Sequence, residues 1–128
     1  MLAACSFSAC SDEKAQEKQQ LDSVLALHDK VMGDSELAMK NKNMLDTLIK
    51  NNSSDTSKVN PATSLRTQLT STDAAMENWM HKFNADYTGK SHTEVMEYLH
   101  SQHMQLAGID SAFRSAIDRS TQLLEKTK

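Results

Sequence analysis

The chain has 128 residues, of which 38% are hydrophobic, 24% charged and 5% aromatic, a size typical of one domain rather than two. Three glycines and one proline are too few for a β-sandwich or barrel, which needs a turn roughly every 8 to 12 residues, so the composition favours an all-α fold. A net charge of −3 argues against a nucleic-acid-binding protein. No apolar run approaches the ~18 residues of a membrane-spanning helix.

The first nine residues are small and apolar, and the sequence becomes strongly polar from Cys10 onward. The tetrapeptides LAAC and FSAC, which end at Cys5 and Cys10, both resemble the lipobox of bacterial lipoproteins, in which the cysteine carries the lipid. Cys10 is the better candidate because charged residues follow it at once. A signal peptide usually has a basic start, yet the first basic residue is Lys14, so we expect a truncated or misassigned start. The alternative is a frayed N-terminus with two ordinary thiols.

Residues 1–10 are therefore predicted to be a residual signal segment and residues 11–128 a single helical domain. Residues 11–50 contain no proline and carry apolar residues three and four apart, which is typical of one long helix. Its predicted buried stripe comprises Leu21, Val24, Leu25, His28, Val31, Met32, Ser35 and Met39, and then Ala38, Leu45, Leu48 and Ile49. Residues 51–61 have the composition of a loop, and Asn60 followed by Pro61 predicts the start of a second helix.

The second helix is predicted to bury one face, formed by Leu65, Leu69, Thr72, Met76, Trp79, Met80, Phe83 and Tyr87. Gly89 suits a left-handed residue at its C-terminal end, and Ser91 with Glu94 predicts a capping box for a third helix that extends to about Glu125. Two heptad rows follow, Val95, Gln102, Ile109, Ala116 and Leu123, and Leu99, Leu106, Phe113 and Ser120. At 1.5 Å per residue these helices predict an all-α, elongated antiparallel three-helix bundle of about 40 to 55 Å.

Five histidines and eight methionines raise the question of a metal site, because imidazole and thioether ligands suit copper. In an antiparallel bundle His28, Met32, Met80 and His103 fall at similar heights, and they are the candidate ligands if the protein binds a metal. We favour the other interpretation, in which the methionines fill the core and a neighbouring helix holds His28 by a hydrogen bond. Asp29 is not expected to pair with His28, since residues one apart on a helix point about 100° apart.

Other patterns in the sequence do not predict catalysis. Met96, His100 and Met104 share a helix face that we expect to be exposed and to suit a partner rather than a specific metal. Glu97 and His100 match the Glu-x-x-His of di-iron bundles, but such sites need two inward-pointing pairs. The sequence has no phosphate-binding glycine loop, no His-Glu-x-x-His and no Gly-x-Ser-x-Gly. We therefore predict that the protein is not an enzyme.

Three segments, LHDKVM at 27–32, AMENWMH at 75–81 and EYL at 97–99, resemble small helical bacterial lipoproteins, some of which are labelled "viral A-type inclusion protein". The resemblance covers about residues 20–126 and implies an envelope lipoprotein without an assigned activity. We therefore predict a lipid-anchored, non-enzymatic helical protein of the bacterial cell envelope, facing the periplasm or the cell surface, with a structural role or a protein partner. No nucleic acid, small-molecule substrate or cofactor is predicted. The alternative function is a periplasmic bundle that binds copper or zinc.

Overall fold

The computed structural model describes residues 6–128, with side chains from residue 9 onward. It contains three helices, α1 (Ser6–Asn51), α2 (Thr56–Lys82) and α3 (His92–Lys126). Helix α2 runs antiparallel to the other two, which are therefore parallel to each other. The predicted all-α three-helix bundle is confirmed. The 46 residues of α1 span about 69 Å at 1.5 Å per residue, so this helix is longer than predicted.

Helix α1 begins at Ser6, about five residues before its predicted start, and continues unbroken through Cys10. The boundary expected after residue 10 thus falls inside a helix. Heptad spacing defines the seam of α1 that packs against α2 and α3, since every seventh residue is buried, namely Glu17, Val24, Val31, Ala38 and Leu45. This spacing keeps one side of the long helix against its neighbours over five heptad positions.

The predicted stripe of α1 was wrong at three positions, because the side chains of Leu25, Met32 and Met39 are between 38% and 44% exposed. Each of them directly follows a residue of the buried seam. One residue turns a helix by about 100°, which moves these side chains out of the seam and towards solvent. Spacings of three and four residues fit both rows equally well, and only the packing of α2 and α3 selects one of them.

Helix α2 begins at Thr56, so the predicted N-cap at Asn60 was wrong. Asp55 is the N-cap, and its Oδ1 accepts a hydrogen bond of 3.1 Å from the backbone N–H of Ser57. A carboxylate in this position satisfies one of the free N–H groups of the first turn. Pro61 is the sixth residue of the helix, where the N–H that it lacks would otherwise bond to the Ser57 carbonyl.

Helix α2 ends at Lys82, earlier than the apolar pattern indicated. Two side chains that follow it accept hydrogen bonds from backbone N–H groups and so form two successive turns. Asn84 Oδ1 accepts the N–H of Asp86 at 2.9 Å, and Asp86 Oδ1 accepts the N–H of Thr88 at 3.0 Å. Such local bonds compete with helical ones and end the helix.

The prediction that Phe83 and Tyr87 extend the face of α2 was therefore wrong in its geometry. Both residues lie in the connection to α3, although both still pack against the core. Gly89 has a φ of +77°, which confirms its left-handed conformation. It lies in a turn closed by a 3.0 Å hydrogen bond from the N–H of Lys90 to the carbonyl of Tyr87, rather than at the end of α2.

Helix α3 opens with the predicted capping box. Ser91 Oγ accepts the N–H of Glu94 at 3.2 Å, and Glu94 Oε2 accepts the N–H of Ser91 at 2.9 Å. One predicted heptad row is fully buried, namely Leu99, Leu106, Phe113 and Ser120. In the other row Gln102, Ile109 and Leu123 are only half-buried, and the seam of the second half of α3 is completed instead by Asp110, Ile117 and Leu124.

Candidate functional site

A groove of about 260 Å³ between α1 and α2 is lined by Leu25, His28, Trp79, Met80 and Phe83, and we call it the α1/α2 groove. The indole of Trp79 is only 6% exposed, as predicted, and the imidazole of His28 lies 6.0 Å from it between ring centroids. The side chain of Met80 is 40% exposed at the rim. The structure thus brings two of the four predicted metal ligands, His28 and Met80, to one groove.

The other two predicted ligands, Met32 and His103, are not among the residues that line this groove. Met32 follows His28 by one helical turn, and its exposed side chain lies in the same row of α1 as Leu25. His103 lies half-buried on α3. Polar pairs between α1 and α3 join residues 75 to 80 apart in the sequence, which places His103 near the height of His28 but on a different helix from the groove.

His28 is held differently from what the sequence predicted. Its Nδ1 lies 3.0 Å from Oδ1 of Asp29, the next residue on the same helix. The expectations that Asp29 points away from it and that a neighbouring helix supplies its hydrogen bond were both wrong. The flexible carboxylate folds back along the helix surface, which the 100° between the two Cα–Cβ bonds does not prevent. An imidazole that donates Nδ1–H to a carboxylate presents Nε2 as an acceptor.

An aromatic row continues from the groove to the connection between α2 and α3. Trp79 stacks on Phe83 with ring centroids 4.9 Å apart, and Phe83 stacks on Tyr98 at 6.0 Å. Tyr98 Oη accepts the backbone N–H of Asn84 at 2.9 Å, and Lys90 Nζ lies 5.0 Å from the ring of Tyr98. The sequence placed Trp79 and Phe83 on one face but did not indicate that Tyr98 stacks on them, because Tyr98 belongs to another helix and shares no spacing with the other two.

A cluster of charges lies between α1 and α3. The carboxylate of Asp110 is buried, accepts a hydrogen bond from Lys30 and forms an ion pair with Arg114 at 3.1 Å, while Lys30 also donates to Asp34 at 3.1 Å. Burial alone would raise the pKa of Asp110, but the hydrogen bond and charge of Lys30 outweigh it, so this pKa lies below its ordinary value of 3.8. The hydrogen bonds that Lys30 donates to Asp110 and Asp34 raise the pKa of Lys30 above its ordinary value of 10.5.

A further pair joins the buried Glu17 of α1 to His92, the first residue of α3. Glu17 Oε1 lies 3.0 Å from Nδ1 of His92, and Lys14 Nζ lies 3.5 Å from the same carboxylate. The hydrogen bond from His92, together with the charge of Lys14, holds the pKa of Glu17 below its ordinary value of 4.5 despite partial desolvation.

These pKa directions predict how stability depends on pH. A carboxyl whose pKa is lowered by folding contributes stability that is complete above its unfolded pKa and is lost as the pH falls through its folded pKa. We therefore expect the free energy of unfolding to decline below about pH 4, near the unfolded pKa values of about 3.9 for Asp and 4.3 for Glu. Lys30, whose pKa is raised, contributes stability that is lost only as the pH rises above its ordinary value of 10.5.

Urea unfolding of the wild type and of Asp110→Asn between pH 2 and 7 measures the acid decline. The variant should lose stability less steeply with falling pH, because it lacks one of the depressed carboxyls. Asp118→Asn, which removes an exposed carboxyl from the same helix, serves as the control and should retain the wild-type slope. Equal slopes for all three proteins would contradict this role of Asp110.

Asn41 forms a polar layer within the core. Its Nδ2 lies 2.9 Å from Ser120 Oγ, 3.0 Å from Thr121 Oγ1 and 3.4 Å from the Ile117 carbonyl. Asn41 and Ser120 are both buried, and Ser120 Oγ in turn donates to the Ile117 carbonyl at 3.0 Å. A satisfied amide among apolar neighbours fixes the alignment of adjacent helices, since any shift leaves its N–H groups without acceptors.

Cys10 lies near the start of α1 and is exposed, and its thiol is not part of a disulfide. Residues 9–16 are all exposed, and Glu17 is the first buried residue among the described side chains of α1. The first turns of α1 therefore extend past the bundle and carry Cys10 about 10 Å from the level of Glu17, at 1.5 Å per residue. Cys5, the other lipobox candidate, lies outside the described residues.

The histidine and methionines on α3 are mainly on its outer face. His100 and Met104 are exposed and Met96 is half-buried, and Glu97 also faces solvent. Among residues with described side chains, no three His, Cys, Asp or Glu groups gather as a metal cluster. Within residues 6–128, no helix combines the length and apolarity needed to cross a bilayer.

Comparison with protein-family models, with curated proteins and with solved structures finds no match to this chain.

Proposed function

We propose that the protein is a non-enzymatic, lipid-anchored helical module of the bacterial cell envelope, which faces the periplasm or the cell surface and acts through protein contacts. The observation that carries this proposal is the position of Cys10 on an exposed helical extension beyond the bundle. A thiol at this place can carry acyl chains without disturbing the core, and the extension separates a membrane surface from the bundle. The lipobox-like word FSAC and the resemblance to helical lipoproteins support the same function.

Exposed apolar side chains along the bundle support the role in protein contacts. Five of the large ones belong to α1, with one more on each of α2 and α3, namely Leu25, Met32, Leu37, Met39, Met44, Met80 and Met104. Methionine is flexible and polarizable and adapts to partners of different shape, which is why it is common on binding surfaces. The exposed apolar rows of α1 are therefore the surface that we assign to a partner.

Membrane fractionation of the full-length gene product in its bacterial host tests the anchor. Lipidation with two or more acyl chains gives stable membrane binding, so the wild type should be found with the membranes and Cys10→Ala should move to the soluble fraction. Cys5→Ala is the matched control and should stay with the membranes. An intact mass of the membrane-derived protein should show lipid on Cys10, and an unmodified thiol there would overturn the proposal.

A further inference from the structure

We propose that the exposed methionines of this protein form an oxidant-reactive surface, whose thioethers take up oxygen atoms from hypochlorite or peroxide while the bundle stays folded. This activity goes beyond the anchored module proposed above and depends neither on its lipid nor on a partner. Five methionine side chains are between 38% and 60% exposed, namely Met32, Met39, Met44, Met80 and Met104.

The thioethers are segregated from the core. Methionine accounts for five of the seven large apolar side chains that are exposed, but for only one of the 17 apolar residues that are buried, Met76. The expectation that methionines fill the core was therefore wrong for these five. Leucine has nearly the same helix propensity and a similar volume, so neither helix formation nor packing requires methionine at exposed positions.

The exposed methionines lie on more than one side of the bundle. Met39 borders α2, Met44 borders a groove between α1 and α3, and Met104 lies on α3 with 60% of its surface exposed. A partner docked on the apolar rows of α1 leaves Met104 uncovered, so the partner surface does not account for all five residues. Their common property is a thioether in contact with water.

Thioether sulfur differs from the other apolar groups in its reaction with two-electron oxidants, which convert methionine to methionine sulfoxide. With hypochlorite an S–O bond forms as the O–Cl bond breaks, so that sulfur loses two electrons and chloride is released. With hydrogen peroxide the O–O bond breaks and water is the reduced product. Sulfoxide reductases reverse the modification, so each exposed methionine can be used repeatedly.

The position of these residues allows oxidation without unfolding. A sulfoxide is polar and disrupts a core, but on an exposed side chain it stays hydrated. Met76 provides an internal reference, because the same thioether is only 1% exposed and an oxidant reaches it only when the bundle opens. The exposed methionines should therefore be oxidised first, and Met76 only after the core has opened.

Stepwise addition of hypochlorite to the purified full chain tests this order. The protein carries Cys5→Ser and Cys10→Ser, because thiols react with the same oxidants. Peptide mass spectrometry should find one added oxygen on each of the five exposed methionines, with Met76 reacting at least about tenfold more slowly. In urea Met76 should react as fast as the others. Met1 lies outside the described residues, and its peptide is left out of the comparison.

Circular dichroism and urea unfolding of the oxidised protein measure whether the fold persists. Helical content and the urea midpoint should stay close to those of the untreated protein. Exposed methionines that react no faster than Met76 in the folded chain would overturn the proposal. A loss of helical content that accompanies oxidation of the five residues would overturn it as well.

A variant with leucine at all five positions is the matched control for oxidant uptake. In competition with free methionine for limiting hypochlorite, the parent should capture several-fold more oxidant than this variant, and equal capture would contradict the proposal. The variant keeps an apolar surface and both serines, so its result bears neither on the partner contacts nor on the lipid anchor. In the bacterial host, exposure to hypochlorite should place sulfoxide on the same five residues, and its absence from all of them would overturn the assigned activity.

Discussion

Replacement of Trp79 by alanine should lower the free energy of unfolding by about 3 to 5 kcal/mol. The indole is 6% exposed and lies between His28 and Phe83, so the truncation leaves a cavity that opens into the α1/α2 groove. Its Nε1 makes no hydrogen bond to the described residues, so the substitution breaks none and the loss comes from apolar packing. Because small domains are stable by only about 5 to 15 kcal/mol, this single change removes a large part of the total.

Urea unfolding followed by circular dichroism measures the effect, since the variant lacks the only tryptophan. Met104→Ala removes a side chain that is exposed on α3 and serves as the control, with an expected change within about 0.5 kcal/mol. Native wild-type fluorescence should be blue-shifted from that of free tryptophan. Emission at the wavelength of water-exposed indole, or equal stability of the Trp79→Ala variant and the wild type, would contradict the burial of this residue.

The second large effect is expected at the polar layer of α1. Asn41→Asp should lower the free energy of unfolding by about 2 to 4 kcal/mol at neutral pH, because an ionised carboxylate would be 5% exposed and would face the carbonyl of Ile117. It cannot donate the hydrogen bonds that the amide donates to Ser120 and Thr121. The side chain keeps the same size and shape, so packing is unchanged and the loss reports charge and hydrogen bonding.

The pH dependence of this variant distinguishes the two causes. Burial raises the pKa of the new carboxyl in the folded protein, so its penalty is present above that pKa and disappears below the unfolded value of about 3.9. The difference in stability from the wild type should therefore shrink as the pH falls to about 3, where the protonated carboxyl donates a hydrogen bond again. Asn43→Asp makes the same change at an exposed position of α1 and should have little effect. A difference that is constant with pH would show that the charge is not the cause.

Local sequence signals predicted much of this fold. Heptad spacing on α3 identified the row through Phe113 that is completely buried, and the Ser91 and Glu94 pair identified the first turn of that helix. The burial of Trp79 followed from a narrow apolar stripe on α2. Each of these features is decided by residues within one or two turns of each other, so the sequence contains the information needed to predict it.

The rest depends on contacts between segments that are distant in sequence. On α1 two adjacent rows had helical spacing, and the packing of α2 and α3 decided that Val31 is buried and Met32 exposed. The hydrogen bond from Lys30 to Asp110 joins residues 80 positions apart, and no periodic pattern in the sequence indicates it. Local polar chemistry also misled the prediction, since Asp55 caps α2 before the Pro61 that we expected to mark its start.

In the candidate site, the heights of His28 and Met80 were predictable from helix lengths and loop positions. Their presence on one groove was not, because it depends on how far each helix is rotated about its axis. The contact between His28 and Asp29 was missed for another reason, since backbone directions alone do not describe where a flexible carboxylate reaches.

The polar pairs between α1 and α3 also determine when, during synthesis of the chain, the bundle can form. Glu17, Lys30 and Asn41 all find their partners 75 to 80 positions later in the chain. The ribosome adds about 5 to 20 residues per second, starting from the N-terminus. The buried seam of α1 is therefore synthesised several seconds before the residues of α3 that pack against it. During that interval its apolar residues have only α2 as a partner within the bundle, and the three helices can pack together only after α3 has been synthesised.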